Sequence, residues 1–323
     1  MPNLMLTTAC NQQCPYCFAR TADVHGARAG AESAAFDAVE RFLDVLARSG
    51  IRECGLIGGE PTLHELFAEI LRYALRRDFM VQVFSNGLIP GEALDRLAAT
   101  PPDRVRVLVN VNERTAYSPA AWGTLTGSLG KLGSRAALGF NIWHVGFDAS
   151  HLVDLAVTHG LHPSIRLSIA HPAVGEQAHA SVEPADYPAL AEPIVALAEH
   201  AARSGLRVGF DCGFRACMFS PDQLRRLHLA GSMARFKCET ILDFSPRLEC
   251  WNCFPLANVR RAQLGDFPGV IEAKDHFRSF LEETRREVLP HACLACDHFG
   301  FGICRGGCLA VRLREAGRTG SAG

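Results

Sequence analysis

The stretch TTACNQQCPYCFAR, residues 7–20, places Cys10, Cys14 and Cys17 in a C-x3-C-x2-C pattern. A short apolar run, NLMLTT (3–8), leads into it and reads as a strand. Thiolates are the ligands of iron–sulfur clusters, and a complete cubane presents four irons to four ligands. Three clustered cysteines leave one iron open, and an open coordination position is where a metal centre takes up a small molecule. The competing reading is a zinc knuckle short of a ligand.

Outward from this loop, strands and helices alternate. Phe36, Val39, Leu43 and Leu46 recur at helical spacing within 31–49, and Gly50 follows as a C-cap. CGLIGG (54–59) is a second strand, and the next helix begins at PTLHELF, where Thr62 and Glu65 suggest a capping box. Further strands are expected at 80–84, 104–112, 138–143 and 164–170, with helices at 91–99, 118–130, 150–159 and 186–204. Repeated strand–helix units imply a parallel sheet. The fold expected is α/β: a partial (β/α)6 TIM-like barrel over 1–205, a cysteine-rich unit over 206–310 and a flexible tail over 311–323. In barrels, function gathers at the C-terminal ends of the strands. The cysteine loop, GGEP (58–61) and SNG (85–87) follow the first three strands in turn.

Composition narrows the classes. The chain has 323 residues, 48% of them hydrophobic and 21% charged, with a formal net charge of −1. No run of lysine or arginine suggests nucleic-acid binding. No apolar stretch reaches membrane-spanning length, and MPNLMLTT does not read as a signal peptide. A cytoplasmic protein is expected, whose 13 cysteines are metal ligands or catalytic groups rather than disulfides.

With CNQQCPYC and GGEP together, the chain resembles the radical S-adenosylmethionine (radical SAM) superfamily. That resemblance implies a 4Fe-4S cluster on Cys10, Cys14 and Cys17 whose open iron is chelated by the methionyl amine and carboxylate. One electron then breaks a carbon–sulfur bond, and a 5′-deoxyadenosyl radical abstracts hydrogen from substrate. Cofactor contacts are expected from Tyr16 and Phe18 (flanking adenine), from Gly58, Gly59, Glu60 and Pro61, and from Ser85 and Asn86. Glycines allow close backbone approach, and a carboxylate accepts a charge-assisted bond from an ammonium. Asn110 and Asn112 share a strand face with Arg106. Asn141, Arg166 and Ser168 are further candidates; their competing reading is ordinary strand-end or paired interior groups.

The C-terminal cysteines are dense. Cys293, Cys296, Cys304 and Cys308 follow C-x2-C-x7-C-x3-C, preceded by Cys212, Cys217, Cys238, Cys250 and Cys253. This resembles the SPASM or twitch extension, which carries one or two auxiliary 4Fe-4S clusters. The usual central run has five residues where this one has seven, and a usual later cysteine is missing after Cys308. By the family pattern, Cys217 or Cys212 joins Cys238, Cys253 and Cys308. Cys293, Cys296 and Cys304 then lack a fourth ligand, for which Cys250, His291, His298, Asp297 or substrate are open alternatives. Zinc as a folding staple is the competing reading.

The expected substrate is a peptide; a small metabolite is the alternative, and a non-catalytic iron–sulfur or zinc protein the third class. With the first strand starting near residue 4, a peptide is expected to need a separate recognition protein or a direct grip. Segment 171–188 reads as a lid. Cys212 and Cys217 are weak candidates for a hydrogen donor. A flavodoxin or ferredoxin is the expected electron donor.

Overall fold

The structure is a computed structural model that describes residues 1–17, 31–175, 180–232 and 236–317. Strands β1 (Asn3–Thr7), β2 (Glu53–Gly58), β3 (Met80–Ser85), β4 (Val105–Asn110), β5 (Ala136–Ile142), β6 (Ser164–Ile169) and β7 (Arg207–Phe210) lie in order and in parallel. Helices α1 (Phe36–Arg48), α2 (Phe67–Arg76), α3 (Gly91–Ala98), α4 (Pro119–Leu132), α5 (His151–Thr158) and α6 (Tyr187–Arg203) alternate with them. β1 is buried along its whole length, as expected of a parallel strand covered on both faces. In β3 and β6 burial alternates strictly. One set of side chains packs into the main core; Phe84, Arg166 and Ser168 belong to the other, less buried face. The Arg166 guanidinium carbon lies 5.9 Å from the centre of the Phe84 ring. Two strands stand between these residues, and a flat sheet would separate their backbones by about 14 Å. The sheet therefore curls so that this face closes on itself.

Four features depart from expectation. A seventh parallel strand, β7, extends the sheet beyond residue 205. The cysteine-rich segment is built onto the same sheet: β8 (Asp243–Phe244) pairs in parallel with β1, and β9 (Glu249–Trp251) and β10 (Ala262–Gln263) continue antiparallel. At that junction buried Asn3 donates to Asp243 Oδ1 at 2.7 Å. Helices α7 (Pro221–Leu229), α8 (Val270–Val288), α9 (His291–Leu294), α10 (Asp297–Gly300) and α11 (Leu309–Glu315) complete the described residues. α11 corrects the expected tail from 311, since Leu309, Val311 and Leu313 are buried against α8 residue Leu281 and its neighbours. The expected helix from Pro61 is a single turn, Pro61–Leu63, followed by α2. Its cap is Glu60 rather than a Thr62–Glu65 box, because the Glu60 carboxylate accepts from Thr62 N. No helix among the described residues is long and apolar enough to cross a membrane.

Candidate functional site

The three expected loops meet at the ends of β1, β2 and β3. Gly59 N donates to Thr7 O at 2.8 Å and Glu60 N to Ala9 O at 2.7 Å, which ties GGEP to the root of the cysteine loop. A Cβ on Gly58 would stand 2.4 Å from Thr7 O, and one on Gly59 would stand 2.3 Å from Ala9 O. The glycines are therefore required by the chain's own backbone, not only by a cofactor. Glu60 is fully buried. Its carboxylate accepts from Thr62 N (3.2 Å), Thr62 Oγ1 (2.6 Å), Ser85 Oγ (3.0 Å) and Asn86 N (2.7 Å). Burial raises its pKa against the pull of those donors. Glu60 thus joins the second loop to the third. Where the sequence suggested a partner for an ammonium, its side chain points into the protein. Pro61 is buried in the same turn.

The thiols lie on the solvent side of this joint. Cys10 is exposed, and Cys14 and Cys17 are half-buried. Asn86 Nδ2 donates to Asn11 Oδ1 (2.7 Å) and lies 3.7 Å from Cys10 Sγ, which also accepts from Gln12 N at 3.4 Å. Two residues past the end of β4, Asn112 Nδ2 donates to Cys14 Sγ (3.4 Å) and Gln12 Oε1 (3.2 Å), while its Oδ1 accepts from Tyr16 OH (2.5 Å). Tyr16 is buried and stacks on Trp143, with centroids 6.4 Å apart. Its phenol is pushed well above its ordinary pKa, first by burial and then by the Cys14 charge. Cys10, although exposed at its surface, is raised as well by the partial desolvation of its thiol inside the loop and by the Glu60 and Cys14 charges. Amide donors aimed at sulfur suit thiolates that carry a negatively charged cluster, so the donor set fits an iron–sulfur group.

The remaining candidates occupy the same closed face. Asn110 Oδ1 fills the space over Gly139, where a Cβ would sit 2.5 Å from it. Ser168 donates to Asn141 Oδ1, and Arg166 is ion-paired with Asp211. Phe18 lies outside the described residues. Sequence reading did not single out Trp143, Asp211 or His171. Trp143 immediately follows β5 and precedes His144, and Asp211 immediately precedes Cys212; those adjacencies were the available signals. His171 is 4% exposed with neither ring nitrogen paired, and burial lowers its pKa to about 4. Segment 171–188 touches both units: Ala180 N donates to Pro15 O and Val174 N to Pro255 O.

The C-terminal thiols sort into two neighbourhoods. Cys238 and Cys253 pack against buried Cys308. Cys212, raised chiefly by burial, also feels the charges of Cys308, Cys253 and Cys238. Cys293 is raised by burial and by Cys304, Cys217 and Cys296, opposed by Arg312. Around Cys308, Arg215 and Arg285 are almost fully buried, and each leaves its Nε unpaired. Arg215 is ion-paired with Glu315 and Arg285 donates to Arg305 O and Cys238 O; buried cations beside Cys308 suit an anionic group such as an iron–sulfur cluster.

Residues 4–113 match the family model described as the Radical SAM superfamily. They are a radical SAM domain. The likeness of fold to solved structures extends beyond that stretch and takes in the cysteine-rich unit. SuiB of Streptococcus suis, solved bound to S-adenosylmethionine, superposes with a TM-score of 0.70 at 14% identity, over 97% of this chain and 73% of that one. The structure titled "Native anSMEcpe with bound AdoMet and Cp18Cys peptide" superposes with a TM-score of 0.63 at 15% identity, over 95% and 89%. GTP 3′,8-cyclase of Chlorobaculum tepidum is 28% identical over 119 residues, 36% of this chain and 34% of the cyclase. That match thus spans about a third of the relative's own length.

Proposed function

We propose that this radical SAM protein is an enzyme that binds S-adenosylmethionine at a 4Fe-4S cluster held by Cys10, Cys14 and Cys17. It cleaves the sulfonium reductively, and the resulting 5′-deoxyadenosyl radical abstracts hydrogen from a peptide. The observation that carries the reading is the joint made by Gly59, Glu60 and Asn86, which holds a three-thiol loop against two further strand ends. Bound there, the cluster supplies one electron to the sulfonium. The protein's share is positional. Asn86 and Asn112 steady Cys10 and Cys14, Tyr16 and Trp143 offer an aromatic wall for adenine, and Asn110, Asn141, Arg166 and Ser168 line the closed face. The C-terminal cysteines carry auxiliary clusters, and a flavodoxin or ferredoxin supplies electrons.

A peptide is favoured because the fold likeness to SuiB and anSMEcpe takes in the cysteine-rich unit, and the anSMEcpe structure holds a peptide. The second reading, a nucleotide substrate, draws on the sequence match to the cyclase. The test is anaerobic incubation with dithionite, S-adenosylmethionine and either peptides encoded beside its gene or GTP. We expect 5′-deoxyadenosine together with a mass change in a peptide. GTP consumption with untouched peptides would reverse the substrate assignment, and absence of 5′-deoxyadenosine would remove the reading altogether.

A further inference from the structure

On the closed face, one charged pair stands at the level of the cysteine loop. Asn110, the last residue of β4, is in register with Gly139 of β5, Gly139 with Arg166 of β6, and Arg166 with Gly209 of β7. Arg166 is therefore level with Asn110, and Asn112, two residues on, reaches Cys14 Sγ at 3.4 Å. Asp211 lies one strand period beyond Gly209 and shares its face. The backbone fixes it there: Asp211 N donates to Leu167 O at 2.8 Å, and Cys212 O accepts from Ile169 N at 3.0 Å. Its carboxylate is ion-paired with the Arg166 guanidinium, and both side chains stay partly open, 38% exposed for Arg166 and 28% for Asp211. Asn110 Oδ1 takes up the space over Gly139, but a Cβ on Gly209 would meet nothing nearer than Ile165 O at 4.0 Å. Room is thus left beside the pair. Asn141 and Ser168, further along this face, are bonded to each other. The remaining charges that share the face on β3 to β7, Arg106 and Arg207, lie toward the other ends of their strands, in register with Gln82 and Ser164. Near the cysteine loop the face therefore offers hydrogen-bonding groups and no net charge.

We propose that Asp211 sets substrate specificity: by holding Arg166 in a neutral pair, it fits this face for an uncharged stretch of peptide and shuts out anionic substrates. This rests on the peptide reading above. Phosphate recognition draws on guanidinium groups free to donate two parallel bonds to oxygen. Here one arm of Arg166 is committed to Asp211, whose own charge repels a phosphate. In a closed site, an anion left without a cation is costly. A backbone amide or a neutral side chain needs no counter-charge, and it can use the open donors of Arg166 and the room beside Gly209.

The test uses full-length protein, reconstituted anaerobically, with inorganic tripolyphosphate as the probe and titration calorimetry as the readout. The wild type should show no binding that depends on Arg166. Asp211→Asn, which frees the guanidinium, should bind tripolyphosphate at least about tenfold more tightly than the wild type. Adding Arg166→Met to Asp211→Asn should abolish that gain. Affinity for S-adenosylmethionine should be the same in the wild type, both single variants and the double variant. The proposal falls if Arg166→Met removes tripolyphosphate binding from the wild type, if Asp211→Asn gains nothing, or if the gain survives the loss of Arg166. It also falls if Arg166→Met weakens S-adenosylmethionine binding, which would make Arg166 a cofactor contact. Should Asp211→Asn fail to fold, the wild type and Arg166→Met decide between them: equal behaviour toward both ligands supports the proposal, and a difference in either overturns it. A wild type that shows no Arg166-dependent binding of tripolyphosphate yet modifies no peptide would overturn the peptide reading and leave the charge assignment standing.

Discussion

Replacing Glu60 with alanine separates its two possible roles. The carboxylate is fully buried and accepts four hydrogen bonds from Thr62, Ser85 and Asn86. Two of those donors are backbone N–H groups, which cannot rotate away to another acceptor. A buried donor left unsatisfied costs about 1–3 kcal/mol. The two hydroxyls regain part of their loss by turning to neighbouring carbonyls. The expected destabilisation is therefore about 3–5 kcal/mol, in line with removal of one partner from a buried charged network. Because Asn86 also contacts Cys10 and Asn11, iron retention should fall together with stability. Glu60→Gln, which keeps an acceptor of the same shape, should recover part of both. The assay is urea unfolding of the metal-free protein, paired with iron content after anaerobic reconstitution. An unchanged unfolding midpoint with weakened S-adenosylmethionine binding would refute the positional role and return Glu60 to direct contact with the ammonium.

Gly59→Ala drives a methyl group to within 2.3 Å of Ala9 O; a cost of about 1–3 kcal/mol and loss of N-terminal iron are expected by the same two assays. Cys14→Ala should abolish 5′-deoxyadenosine formation under dithionite, measured by chromatography, while leaving the auxiliary iron in place. Asn112→Leu removes the amide donor to Cys14 Sγ and the acceptor of Tyr16 OH; it should slow 5′-deoxyadenosine formation roughly tenfold and lower the cluster's reduction potential, read by redox titration. Burial beside Asn3 raises Asp243 to about 7, whereas in the unfolded chain it titrates near 3.9. The folded protein therefore holds the extra proton between those values, so stability falls as pH rises from about 4 to about 7. The contribution reaches up to about 4 kcal/mol, and Asp243→Asn should flatten urea midpoints over that window.

Local chemistry was legible in the chain itself. Three thiols within eight residues, a GGEP turn and alternating apolar periods specify a cysteine loop at the end of a strand in a parallel α/β sheet, because ligand spacing and side-chain period are properties of adjacent residues. Tertiary structure alone decided which way Glu60 faces, since its donors Ser85 and Asn86 lie 25 and 26 residues away. It also decided that Arg166 pairs with Asp211, and that β8 completes the edge beside β1 through Asn3 and Asp243, 240 positions apart. The seating of Arg215 over Gly307 was likewise invisible in sequence, because it is a packing contact between turns 92 positions apart that local spacing does not encode.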